Sequence, residues 1–117
     1  MFHNDVRDRY LRGDEQVVAG MRRVAGLAAS ARDALLGRDA RRLSSLVDEN
    51  FDVRRRIFNL PPWQVQMVDA ARACGASANF AGSGGAIVGT YEGDETLSAL
   101  HTAFSRISCR VVTPDVA

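Results

Sequence analysis

The sequence predicts an α+β fold in which helices cover one face of an antiparallel sheet. Three observations carry this. Helical periodicity dominates the first half, two β-type runs flank a glycine-rich loop, and a further helix and a short β-type run follow. Elements grouped in that order do not alternate as a parallel sheet would require. The 117 residues are enough for one domain, residues 1–117, with a single modest core.

Taken in order, a polar, charged start leads to Gly13-Asp14, and Asp14 is placed to cap a helix. Val17, Met21, Val24, Ala28, Ala31 and Leu35 then recur at alternating spacings of four and three, one face of a long amphipathic helix. Gly37 ends it. Asp39 caps the next helix, with Leu43, Leu46 and Val47 facing inward. The stretch "ENFDVRRRIFNLPPW" follows, where Phe51, Val53, Ile57 and Phe58 supply apolar contacts. Pro61-Pro62 must break the helix, because proline lacks the donor and disfavours helical geometry before it. Trp63 reads as a packing anchor. A further helix carries Val65, Met67, Val68 and Ala71 and stops at Gly75.

Residues 76–80 and 86–91 are strand-like and flank the glycine loop. Gly93-Asp94 turns the chain into a helix whose buried stripe is Leu97, Leu100, Phe104 and Ile107. Residues 109–113 read as a short strand ended by Pro114. No repeat, linker or low-complexity segment interrupts the order.

Charge and composition exclude several classes of function. Fifteen basic residues against 14 acidic ones leave a formal charge of +1, too little to indicate a nucleic-acid or membrane partner. Every basic residue is arginine, so no lysine is present to serve a phosphate loop, a Schiff base or general-base chemistry. Cys74 and Cys109 have no Cys or His at metal-ligand spacing and read as reduced thiols of a cytoplasmic protein. No apolar run approaches the roughly 20 residues of a membrane span, and the first residues lack the pattern of a signal peptide.

The loop Gly82-Ser83-Gly84-Gly85 is the strongest candidate site. Small residues let backbone N–H groups converge on an anion, and glycine reaches φ > 0. It is neither a lysine-bearing phosphate loop nor a dinucleotide fingerprint, since a β-type run follows it rather than a helix. From the residues alone, a tight strand connection and an anion cradle both stay open. Arg54, Arg55 and Arg56 point in different directions on a helix, so one or two at most share a site. A guanidinium can hold carboxylate or phosphate bidentately, but a solvated face balanced by Asp48, Glu49 and Asp52 is the simpler reading. Asn50 and Asp52 can cap or can hold a hydroxyl-rich ligand. His3 and His101 have no ligand-spaced partners and read as structural or solvated.

Three stretches resemble the C-terminal half of the GHMP kinase superfamily, and most closely its glucuronokinase-like branch. They are "HNDVRDRYLRGD", "LVDENFDVRRRIF" and "MVDAARACGASANFAGSGGAIV". The last looks like the superfamily's third conserved motif. The resemblance implies a ferredoxin-like domain that lacks its first strand, with a sheet edge able to pair with another chain as a homodimer. It implies an ATP-dependent sugar kinase that phosphorylates the anomeric hydroxyl of a sugar or uronic acid. Gly82, Ser83, Gly84 and Gly85 would lie near the ATP phosphates, and Asn50, Asp52 and Arg55 on the substrate side. ATP and Mg²⁺ belong to the complete enzyme, and neither is expected to be held by this chain alone. The principal phosphate loop and the catalytic residues are those of an N-terminal GHMP kinase domain, in the same or a separate chain, so the isolated chain is expected to be inactive. Asn79 stands where the family pattern has Lys, and Ala81 where it has Thr. A reading of another class also stays open: a free-standing small-molecule-binding or regulatory module, resembling ACT-type domains and without catalysis.

Overall fold

Asp14 starts the longest helix. In the computed structural model, which describes residues 2–82 and 85–115 with side chains from Asp5 onward, its carboxylate accepts from the Gln16 and Val17 N–H groups. Those donors have no partner inside the helix, so the cap satisfies two groups that would otherwise lack one. The polar stretch ahead of it is itself helical: α1 spans Phe2–Leu11 and α2 spans Glu15–Leu36. Val6 is the buried apolar contact of α1, closing on Val17 and Ile57. Arg9 supplies the rest, donating to Asp14 Oδ2 at 3.1 Å and to the Ile57 carbonyl at 2.9 Å.

The inward stripe of α2 follows the sequence pattern through Val17, Met21 and Val24 and then departs from it. Val17, Leu27 and Ala34 are buried, whereas Ala28 is exposed and Leu35 is 62% exposed. With Met21, Val24 and Ala31 half-buried, the observed spacings are four, three, three, four and three. That is nearer the 3.5-residue repeat of a supercoiled helix pair than the 3.6 of a straight helix. The partner is α3, Ala40–Ile57, which starts at the Asp39 cap and returns antiparallel. Val17 meets Ile57 at one end of the pair, and Leu27 and Ala34 meet Leu46 at the other. Gly20 permits the close approach: a methyl group there would stand 3.3 Å from Ile57.

Pro61 and Pro62 end the extended link after α3, and Pro62 opens α4, Pro62–Ala73. The first helical position suits proline, whose missing N–H has no partner there anyway. Trp63 is not an anchor. It sits on the outer side of that first turn and is 49% exposed, while Gln64, Val68 and Ala71 point inward.

Gly75, at φ +92°, turns the chain into an antiparallel hairpin of β1, Asn79–Phe80, and β2, Ile87–Val88. The register pairs Asn79 with Val88 and Phe80 with Ile87. Ser77 N–H to Thr90 carbonyl and Ala81 N–H to Ala86 carbonyl, both 2.9 Å, continue it on either side. The paired arms of the hairpin thus run from Ser77 to Ala81 and from Ala86 to Thr90. α5, Gly93–Ser105, packs beside α4. The main core joins Phe51 of α3, Val68 and Ala71 of α4, Ala76, Ala78 and Phe80 of the hairpin, and Leu100 and Phe104 of α5.

Residues 109–113, expected as a strand, make no ladder among the described residues. Their burial still alternates at first: Cys109 and Val111 pack on the core while Arg110 and Val112 are exposed. The segment has a strand's side-chain period without a strand partner, so the described sheet has two strands. Among the described residues, no helix is long and apolar enough to cross a membrane.

Candidate functional site

The C-terminal half of α3 lies against α4 and the strand that enters the glycine loop. Asp48 and Asp52, one turn apart on one face of α3, converge on a single cation. Arg72 of α4 donates from Nε to Asp48 Oδ1 at 3.1 Å and from Nη1 to Asp52 Oδ1 at 2.8 Å. Its Nη2 reaches the Asp48 carbonyl at 2.9 Å and the Ala78 carbonyl at 3.5 Å. Asp48 Oδ1 also accepts from the Ala78 N–H at 2.8 Å. The guanidinium lies 5.3 Å from the Phe51 ring centroid. One half-buried arginine thereby fastens two helices to the backbone just before β1, using the fork that a lysine lacks.

This corrects the expected balance of charges on α3. Asp48 and Asp52 pair with Arg72, and Glu49 pairs with Arg23 of α2 through two bonds of 2.5 and 2.9 Å. None of the three forms an ion pair with Arg54, Arg55 or Arg56. Partners on neighbouring helices win because each brings two guanidinium nitrogens: Arg72 reaches both aspartates at once, and Arg23 grips Glu49 twice.

The five described candidate residues, Asn50, Asp52, Arg55, Gly82 and Gly85, lie in different surroundings. Asn50 Oδ1 accepts from Asn79 Nδ2 at 2.8 Å, linking α3 to β1 three residues before Gly82. Asp52 is tied to Arg72 and keeps an exposed edge. Arg55 lines an open groove of about 540 Å³ at the α3–α4 elbow, with Phe58, Asn59, Leu60, Gln66 and Asp69. Neither Asn50, Asp52 nor any described loop residue borders that groove. In the loop, Gly82 and Gly85 have φ of +59° and +89°, and nothing lies within 4 Å of where a Cβ would stand at either. Ser83 and Gly84 lie outside the described residues. The described ends of the loop therefore have an exposed backbone in a glycine-favoured conformation, which fits close approach by a ligand.

Other candidates are quickly placed. His101 is exposed on α5, and the His3 side chain lies outside the described ones. Cys74 and Cys109 are free and half-buried. Among the described residues no cluster of His, Cys, Asp and Glu is arranged to hold a metal. The residues that organise the site, Asp48, Arg72 and Asn79, were not singled out from the sequence as partners. A signal for Asp48 was present, since Asp48 and Asp52 at a helical spacing of four share one face, but nothing local named Arg72 as their cation.

Residues 31–108 match the family model described as GHMP kinases C terminal. The chain belongs to the GHMP kinase family and carries its C-terminal domain. Among curated proteins it is 45% identical over 89 residues to glucuronokinase 1 of Arabidopsis thaliana, and equally to probable glucuronokinase 2 of the same plant. The matched segment is 74% of this chain but 25% and 24% of those relatives, so the chain spans about a quarter of their length. No solved structure matches it significantly.

Proposed function

We propose that this chain is the C-terminal portion of an ATP-dependent, glucuronokinase-like sugar kinase acting on the anomeric hydroxyl of a sugar or uronic acid. The 45% identity to glucuronokinases is the observation that carries this reading. The open backbone at Gly82 and Gly85 supports it. Residues 82–85 would approach the ATP phosphates, where backbone N–H groups offset negative charge without a lysine. ATP, with Mg²⁺, supplies the phosphoryl group; this chain's part is to bind and orient. Asn50 would form the substrate-side wall through its bond to Asn79, while Asp52, already engaged by Arg72, would offer its exposed edge to a sugar hydroxyl. Arg55 would act from the α3–α4 groove.

In the complete protein an N-terminal GHMP kinase domain supplies the principal phosphate loop and the catalytic groups, and the isolated chain does not turn over. The hairpin belongs there to a larger ferredoxin-like sheet, for which the alternating burial of residues 109–112 offers a further strand. An unpaired hairpin edge would also suit a second copy of the chain. Two free cysteines fit a cytoplasmic setting. The test is a phosphorylation assay with glucuronate, Mg²⁺ and ATP. We expect no product from the chain alone, and sugar 1-phosphate when a glucuronokinase N-terminal domain is added; appreciable turnover by the chain alone contradicts the division of labour.

A further inference from the structure

Two half-buried arginines of this chain are neutralised by carboxylates: Arg9 meets Asp14, and Arg72 meets Asp48 and Asp52. Arg54 is different. It is half-buried on α3, and its guanidinium stands 5.1 Å from the centroid of the Phe80 ring. Among the described residues no carboxylate comes within ion-pair distance of it, and its side chain makes no hydrogen bond. Taking a charge out of water without a counter-charge is unfavourable, and burial accordingly pushes the Arg54 pKa down.

Its donors are nevertheless accessible. Gln64 Nε2 is the buried side-chain polar atom without a partner among the described residues, so the unbonded Arg54 nitrogens must reach solvent. The ring beneath is held in turn by edge-to-face contacts with Phe51 and Phe58, at 6.1 and 6.2 Å. A guanidinium resting on a fixed ring has already lost part of its rotamer freedom, so less is lost when it binds. Phe80 itself ends β1, two residues before Gly82.

We propose that Arg54 is an oxyanion-binding residue, whose free fork beside the strand entering the glycine loop takes the carboxylate or phosphoryl oxygens of an anionic ligand. The missing counter-charge is then the ligand's own. The choice of glucuronate as a probe rests on the kinase reading; the unpaired, stacked cation does not.

The experiment is side-chain ¹⁵N NMR of arginine Nε–Hε signals in the full 117-residue chain, titrated separately with glucuronate, inorganic phosphate and glucose. We expect the Arg54 signal to move with an anion and to stay with neutral glucose. A response to glucuronate alone assigns the site to a carboxylate, and one to phosphate alone assigns it to a phosphoryl group. An Arg54 signal unmoved by both anions, or moved equally by glucose, overturns the proposal. Arg54→Gln should weaken the effective anion by about tenfold or more, while Arg56→Gln, at an exposed position of the same helix, changes it less than about twofold. Arg54→Lys keeps the charge without the fork, and an undiminished affinity in that variant also counts against bidentate binding. Glucuronate shifts confined to other residues would overturn this role and leave the kinase reading intact. Failure of the phosphorylation assay, with Arg54 still responding, would do the reverse.

Discussion

Arg72 holds three segments at once, through hydrogen bonds to Asp48, Asp52 and Ala78. Removing it leaves two half-buried carboxylates without their cation and the Ala78 region without its clasp. Arg72→Ala should cost about 2–4 kcal/mol in urea unfolding, with Arg72→Lys recovering only part because one ammonium cannot span both aspartates. A loss under about 0.5 kcal/mol would show that the clasp contributes little. Asp14 gives a pH signature. Its hydrogen bond to Arg9, helped by the N–H groups of Val17 and Gln16, lowers its pKa in the folded chain. A carboxylate more acidic when folded stabilises above its unfolded value, near 3.8, and loses that contribution as pH falls through the lower folded value. Thermal unfolding of the native chain and Asp14→Asn, followed from about pH 6 to about pH 2, should show a gap that narrows at the acid end. Glu49, lowered by Arg23, acts in the same direction and adds to the acid sensitivity of both proteins.

At the scale of elements, local signals were readable and long-range ones were not. Asp14 and Asp39 announce their helices because a cap acts within three residues, and the structure uses both. The hairpin was visible from two β-type runs around glycines. By contrast α1 offers few apolar positions, and its docking depends on Val6 and on Arg9 bonding the far end of α3, which no local pattern reveals. Residues 109–113 have a strand's alternation, but pairing needs a second backbone that local sequence does not name. The partner of Arg72 was hidden for the same reason, since Asp48 and Asp52 sit 24 and 20 residues away. Gly89 was also missed: a Cβ there would come within 1.8 Å of the Ser77 carbonyl oxygen. Gly89→Ala should therefore force the strands apart, destabilising the chain by about 2 kcal/mol or more and raising amide exchange at Ser77 and Thr90. Unchanged exchange at those amides would mean that the hairpin is looser than described.

For the whole molecule, the C-terminal half of α3, α4 and β1 converge just before the glycine loop. The Asn50–Asn79 bond ties α3 to β1, and Phe80 at the end of β1 sits in the main core. The candidate site could be read from sequence as a set of residue types, helped by family resemblance. Its division into a loop-side part and a separate Arg55 groove could not, because it depends on how α4 turns at Pro61-Pro62. In the proposed function this domain does the work of a glucuronokinase C-terminal segment. The most direct measurement replaces the matching segment of Arabidopsis glucuronokinase 1 with this chain and follows ATP-dependent formation of glucuronate 1-phosphate. Turnover within about tenfold of the parent enzyme is expected. A chimera that is folded and binds ATP yet forms no sugar phosphate would contradict it.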